Sequence, residues 1–478
     1  MIATLPLLIP LAGAALVVAL REHPRARDAA AVAAAVTTAV VVALMIPGAM
    51  DGERPEVTLA PFLPDAPILL RVDPLGLLLL LTATLLWPLT AIYAGAYFPT
   101  DAATRGRFHA FVALTLASTA GVAFAGNLVT LYLFYEMMTF ATYPLVVLSR
   151  GEEAMAGGRR YLTYQLGTGI ALFLPAVILT YVETGSFEFT PGGLFGPGDT
   201  GILPVAIFVL FLFGIAKAAL VPVHLWLPAA MAAPVPVSAL LHAVAVVNVG
   251  VFALFRVLLE VFGPASVVAL RLDLVTIIVA STTVLVASLI ALQLDKLKPI
   301  LAYSTIGQLS YMLLGVALVN DAGMTGGMFH LVGHSVSKIT LFFAVGAIAA
   351  TTGATSWREL TGLAQRMPHL VIILGIGAAS IVGLPPTAGF VTKYLLFVGA
   401  VEARAWLPVV VLAASTVLAA TYYLRLVRTP LTAGDGAGGS SRPIPPAMLI
   451  PMGITAAVTV LLGIVPGPLL TLVRAAVP

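Results

Sequence analysis

The chain has 478 residues, 60% of them hydrophobic and 9% charged, with a mean hydropathy of +1.06; a water-soluble fold of this size cannot place such a composition on its surface. Its 24 lysines and arginines against 21 acids give a net charge of +3, but the bases lie singly or in small groups between apolar runs and read as membrane anchors, not as a nucleic-acid surface. The absence of cysteine excludes disulfides, thiolate metal sites, cysteine-ligated iron–sulfur clusters and a cysteine nucleophile within the chain, so any redox chemistry belongs to another subunit.

A helix needs about 20 mostly apolar residues to cross a bilayer. Divided at its polar and Pro/Gly-rich breaks, the chain yields fourteen predicted spans: 2–20, 29–49, 73–98, 108–126, 127–149, 161–183, 202–230, 236–260, 271–293, 299–319, 325–350, 369–400, 405–428 and 447–472. The predicted class is all-α, a polytopic membrane protein. The first span has no basic stretch before its apolar run and is followed by Arg21, Arg25 and Arg27, so it is expected to be a retained helix and not a cleaved signal. The Pro-rich, acidic segment 50–72 and the Gly/Ser-rich segment 431–446 are expected to be linkers. Loops after odd-numbered spans hold 15 lysines and arginines and those after even-numbered spans hold 4. By the positive-inside rule this asymmetry supports the span count and puts both termini outside a bacterial or archaeal cytoplasmic membrane.

Away from the span ends, the ionisable groups that stand out are Glu136, Lys217, His242, Arg256, His330, His334, Lys338 and Lys393. A charged residue at the centre of a spanning helix costs about 2.5–3.5 kcal/mol on insertion scales, so such groups face protein or water and mark ion paths. Three of the chain's five lysines are among them.

Taken in order, Asp73-Pro74 reads as an N-cap with Pro at N1. Glu136, in LYLFYEMMTFATYPLVVL, reads either as part of an ion path or as a carboxylate bonded to Tyr132 or Tyr135. Lys217 precedes Pro222 in AKAALVPVHLWLP; it reads as a lysine beside a broken helix and a water-filled cavity, or as one that snorkels to the surface. His224 and His242 flank the turn PAAMAAPVPVS and extend a relay from Lys217. Arg256 reads as a snorkelling residue near the end of its span. Asp295, Lys296 and Lys298 are expected interface anchors, with Lys298 and His224 as candidate gates.

In FHLVGHSVSKITLFF, His330, His334 and Lys338 fall at i, i+4 and i+8, a stripe about 12 Å long at 1.5 Å per residue. Imidazoles can pass a proton by exchanging tautomers, which favours a proton relay. The alternatives are a metal ion shared by the two histidines, for which Lys338 is a poor third ligand, and ordinary hydrogen bonding between helices. Lys393 follows a second break at Pro385-Pro386, flanked by Gly383 and Gly389. The breaks fall in the seventh and twelfth spans, five apart, so two inverted repeats are expected. The resulting division is 1–107 (three N-terminal helices), 108–260 (first repeat), 270–428 (second repeat) and 447–478 (last helix).

The runs AKAALVPVHLWLPAAMAAPVPVSALLHAVAVV, DKLKPILAYSTIGQLSYMLLG, HLVGHSVSKITLFF and GLPPTAGFVTKYLLF resemble, in this order, the antiporter-like proton-translocating subunits shared by complex I, Mrp-type cation/proton antiporters and energy-converting membrane hydrogenases. The resemblance covers about residues 70–430. It implies 14 helices, two inverted five-helix repeats, broken seventh and twelfth helices and a hydrated polar axis. It also implies a glutamate–lysine pair at Glu136 and Lys217, relay histidines at His330 and His334, and a terminal lysine at Lys393. At an assumed 4 Å and an effective dielectric of 20 that pair would attract by roughly 4 kcal/mol.

Two positions depart from the family pattern: Asn248 stands where relatives commonly carry lysine, and Ala229 where many carry aspartate. Asparagine holds a water but carries no charge, so the link between the two halves would fall to His242 or to water. The wording around Lys393, and a C-terminal region without a long lateral extension, look most like the D-type subunit of Mrp-type antiporters. The expected function is therefore proton translocation within a complex of other membrane subunits in the lipid bilayer, as part of a monovalent cation/proton antiporter with sodium as a further candidate ion. The rival readings are the pump arm of a redox complex and a scaffold whose path has decayed. No nucleic acid, cofactor or metal is expected, and no catalytic centre lies in the chain.

Overall fold

The computed structural model describes residues 2–63, 66–196, 198–199, 201–434 and 443–477. It is almost wholly helical, because long runs of Leu, Ala and Val leave backbone hydrogen bonds no partner at membrane depth except within a helix. In chain order the helices are α1 Leu5–Ala19, α2 Pro24–Met50, α3 Pro74–Tyr97, α4 Ala102–Ala123 and α5 Leu128–Val146, then α6 Glu152–Thr184, α7 Ile202–Gly214, α8 Val223–Ala232 and α9 Val235–Ala269. They continue with α10 Leu272–Gln293, α11 Leu297–Ala317, α12 Asp321–Thr352, α13 Pro368–Val382 and α14 Ala388–Glu402, α15 Trp406–Leu431, α16 Pro446–Ile464 and α17 Gly467–Ala476. Ten of these are by themselves long and apolar enough to cross a membrane. The other expected spans fall on α4, on α5 and on two interrupted pairs, α7/α8 and α13/α14.

Polar side chains fix several helix starts. Asp73 accepts a hydrogen bond from the Gly76 amide at 2.7 Å with Pro74 at the first helical position, as its sequence indicated. Asn127 does the same for α5 through the Thr130 amide, and Asn320 for α12 through the Gly323 amide, both at 2.8 Å.

Burial sorts the helices into a centre and a rim. The apolar window of α9 is 100% buried and those of α11 and α12 are each 94% buried, whereas α1, α2, α6, α10, α15 and α16 are 33–50% buried. The first group can meet only protein, and the second has a face left for lipid. The ionisable residues of the sequence concentrate in the first group and in the breaks beside it.

Three expectations need correction. Segment 50–72 is not a plain linker: β1 Glu56–Leu63 and β2 Ala66–Arg71 pair antiparallel. The strand pair is tied to the first turn of α5 by the Leu69 amide to Thr130 Oγ1 (2.9 Å) and to the α4–α5 connection by the Arg71 amide to the Phe124 carbonyl (2.6 Å). Arg256 does not snorkel. It is 1% exposed and its guanidinium bonds both carboxylate oxygens of Glu260 at 2.7 Å and Asp73 Oδ2 at 2.5 Å, a triad of a buried arginine and two half-buried carboxylates that joins α9 to the cap of α3. Lys217 does not precede its break but lies inside it. For the expected 431–446 connector, residues 435–442, Arg442 included, lie outside the described residues.

Candidate functional site

The first break runs from Ile215 to Pro222, with Ala219 in the left-handed region at φ +54°. Unwound backbone at this depth must find partners. Trp226 Nε1 donates to the Ala216 carbonyl (2.8 Å), the Lys217 amide donates to Tyr135 Oη (3.1 Å), and the Val221 amide donates to Thr283 Oγ1 (3.1 Å). Helices α5 and α10 thus hold the break open from two sides. Helix α9 comes up against it at Gly250, where a methyl group would collide with the Lys217 and Ala218 backbone.

Lys217 is fully buried. Its Nζ donates to the Tyr135 carbonyl (2.9 Å) and Thr139 Oγ1 (2.7 Å) and sits 3.3 Å from the centroid of the Tyr135 ring. The expected ion pair with Glu136 is not formed, nor is a bond from Glu136 to Tyr132 or Tyr135. Both Glu136 oxygens are enclosed and lack a hydrogen-bond partner among the described residues, and the carboxylate lies against Gly169 of α6. The cause is helical direction: Tyr135 and Thr139, four apart, share the face of α5 that meets the break, and Glu136 is turned about 100° from Tyr135.

The second break follows Val382. Gly383 adopts φ +91°, where a side chain would be strained and would also meet the Lys393 stem. Lys393, on α14, reaches back across the break: Nζ donates to the Val382 carbonyl at 2.8 Å and to Thr416 Oγ1 of α15 at 2.8 Å, with the Tyr311 ring centroid 5.5 Å away.

Between the breaks, α12 carries the histidine stripe. His330 is engaged at both nitrogens: Nε2 lies 3.0 Å from Gln308 Oε1 and Nδ1 lies 3.2 Å from Thr392 Oγ1. Its ring centroid is 5.6 Å from that of His334. Among the described residues, the nitrogens of His334 and His242 have no hydrogen-bond partner, although both side chains are fully buried; His242 packs on Phe342 at 5.1 Å. Asn248 Nδ2 donates to Ser335 Oγ at 2.8 Å and to the Ala243 carbonyl at 3.1 Å, so the position where lysine was anticipated bridges α9 to the residue after His334. Lys338 Nζ donates to the Leu301 carbonyl (3.1 Å) and to Tyr423 Oη (3.3 Å), and Tyr423 Oη is 2.9 Å from Ser304 Oγ.

Among the described residues, neither candidate gate is hydrogen-bonded to a side chain of this axis, although Lys298 acts on His242 through its charge. Lys298 Nζ donates to the Ala233 carbonyl at 2.6 Å and lines a cavity of about 570 Å³ with Glu153, Arg160, Ala229 and Lys296. His224 packs edge-on to Tyr303, with ring centroids 6.3 Å apart, and no hydrogen bond joins it to Lys217 among the described residues.

A common pattern emerges. Lys217, Lys338 and Lys393 each donate to one backbone carbonyl and one hydroxyl, and among the described residues none is ion-paired. Sequence reasoning missed the lysine partners Tyr135, Thr139, Thr416 and Tyr423, and also Gln308 and Thr392, which hold His330. A signal for some of them was present, since Ser304, Gln308 and Tyr311 form a polar stripe at helical spacing on α11, and Thr416 and Tyr423 sit seven apart on α15.

With this geometry in view, residues 125–419 match the family model described as NADH:quinone oxidoreductase/Mrp antiporter, transmembrane. The chain belongs to that family. Every member of the buried axis falls within the matched region. A curated relative, NADH-quinone oxidoreductase subunit N of Desulforudis audaxviator (strain MP104C), is 32% identical over 414 residues, 83% of this chain and 81% of the relative. Among solved structures, the Mrp complex from Dietzia sp. DQ12-45-1b superposes with a TM-score of 0.90 at 26% identity, covering 100% of this chain and 97% of that one. The membrane-bound sulfane sulfur reductase, an archaeal respiratory membrane complex, gives 0.88 at 26% identity, covering 99% and 96%. The chain is a multi-pass membrane protein of this fold.

Proposed function

We propose that the chain moves protons through the bilayer along the axis Glu136, Lys217, Asn248 with His242, His334, His330 and Lys393, with Lys338 as a branch. The observation that carries this reading is the shared treatment of the three lysines. Each is held by two neutral oxygens and no carboxylate, so neither its charged nor its neutral form is locked in by a counter-ion. Enclosed polar atoms without protein partners on Glu136, His242 and His334 lie along the same line, and buried groups of this kind are as a rule bridged by internal water. Glu136 then acts as the mobile element. When its carboxylate swings toward Lys217 it favours the ammonium, and when it withdraws the lysine releases its proton toward the histidines.

The two interrupted helices support the division into inverted repeats at 108–260 and 270–428 within fourteen spans, because discontinuous helices in corresponding positions are the mark of that architecture. The arginine bias of the loops supports a cytoplasmic membrane with both termini outside. Lys298 and the cavity it lines are read as the cytoplasmic mouth. As in the complexes named above, the chain works with other membrane subunits. The first reading is the D-type subunit of an Mrp-type monovalent cation/proton antiporter, supported by Lys393 and by the match over the whole chain to the Mrp complex. The second is the proton-pumping arm of a redox complex, favoured by the NADH-quinone oxidoreductase relative.

Sealed vesicles carrying the assembled complex test the proposal. A pH-sensitive dye should register proton movement with the wild type, and Lys338→Met and Lys393→Met should each suppress it without loss of assembly. Undiminished movement in both variants ends the reading. Iron–sulfur subunits co-purifying with the chain decide for the redox pump, and small membrane subunits alone decide for the antiporter.

A further inference from the structure

Two apolar cavities share one arginine-rich mouth, and none of their residues belongs to the polar axis. The larger, about 1310 Å³, runs between α1 and α4 along Leu11, Ala14, Val18, Phe111 and Leu114. The smaller, about 460 Å³, continues from Phe111 to Pro144, Val147 and Met155. Arg107, Phe111 and Arg150 line both.

The mouth holds Arg21, Arg27, Arg107 and Arg150 against a single acid, Glu22. Nearby Asp28 does not neutralise the excess, because it is taken by Arg27 (2.8 Å) and Arg105 (2.8 Å). Arg21 stands 3.8 Å from Glu22 in an exposed pair, which contributes little. Arg107 spends one nitrogen on Thr104 Oγ1 (2.9 Å), and its Nε is enclosed with no acceptor among the described residues. Arg150 is exposed and has no acidic partner among them. Two guanidiniums therefore face the same opening without an ion-pair contact among the described residues, Asp101 acting on Arg107 only through its field, above two apolar arms.

We propose that this groove binds one anionic diacyl phospholipid of the bilayer, its phosphate on Arg107 and Arg150 and its acyl chains in the two arms. Guanidinium is the side chain best shaped for phosphate, and basic pockets between spanning helices are the recognised setting for acidic headgroups. A zwitterionic lipid would bring its own ammonium to the arginines, and a neighbouring helix would fit only with an acidic end. The charge of the mouth selects the anionic lipid.

Native mass spectrometry of the assembled complex in detergent, titrated with phosphatidylglycerol or phosphatidylcholine, tests this. The wild type should prefer phosphatidylglycerol. The double variant Arg107→Gln/Arg150→Gln should bind it about thirty-fold more weakly, the combined per-charge attraction of two arginines for an acidic headgroup. Arg358→Gln, a remote basic control, should change nothing. Ala15→Trp, which fills the larger arm and leaves the arginines intact, should weaken both lipids. Equal affinity for the two lipids in the wild type, an unaltered preference in the double variant, full binding by Ala15→Trp, or capture of a partner subunit instead of lipid by a photocrosslinker at Phe111 would each overturn the assignment.

Discussion

Lys217 is held by Tyr135 and not by Glu136, the residue next to it. The ammonium donates to the Tyr135 carbonyl at 2.9 Å and stands 3.3 Å above the ring, while the Tyr135 hydroxyl takes the Lys217 backbone amide at 3.1 Å. One tyrosine therefore fixes both the side chain and the unwound backbone of the break. Glu136 remains close enough to act on the lysine by its field but is not bonded to it.

Tyr135→Phe keeps the ring and deletes the acceptor of the Lys217 amide, leaving a buried donor unpaired. A loss of about 1–3 kcal/mol is expected, read as a lower melting temperature of the purified complex. An unchanged melting temperature would mean that the break does not depend on this bond.

Arg256→Ala is expected to be among the most damaging single changes. It leaves Asp73 and Glu260 as neighbouring carboxylates in a largely buried site, a situation that costs about 3–5 kcal/mol. Arg256→Lys should recover only part of this, because an ammonium cannot reproduce the fork that meets both Glu260 oxygens and Asp73 together. Thermal unfolding of the three proteins ranks them directly; an Arg256→Ala protein as stable as the wild type would restore the snorkelling reading.

Asn248→Leu, close in volume and without hydrogen-bonding groups, removes the bond to Ser335 at the joint between the two halves of the axis. Proton movement in vesicles should fall about tenfold, the rate equivalent of one lost hydrogen bond in the path, and Asn248→Ser should retain most of it. Full speed in the leucine variant would show that the joint lies elsewhere.

Helix length, the two breaks and the buried lysines were legible because each rests on a local rule: apolar run length, proline against helix continuity, and the cost of charge in hydrocarbon. What escaped reading depended on residues far apart in the chain. Arg256 looked like a snorkelling residue although Glu260 stood at i+4, because its second partner, Asp73, which closes the triad, lies 183 positions away. The direct ion pair expected of Glu136 and Lys217 is not formed, on account of helical phase, since the face of α5 that meets the break carries Tyr135 and Thr139, and Glu136 acts on the lysine only through its field. The hydroxyls that hold the lysines were passed over because Ser, Thr and Tyr are ordinary in spanning helices, where Ser and Thr bond their own backbone; Thr416 does so as well, to Leu412 at 2.7 Å, while also accepting from Lys393.

Proton movement by the complex carrying Lys217→Ala tests the account most directly. In sealed vesicles the variant should assemble with its partner subunits, carry a normal content of the chain, and show no proton movement above that of empty vesicles. Transport at the wild-type rate in that variant would contradict the account, because the first lysine of the axis would then be dispensable.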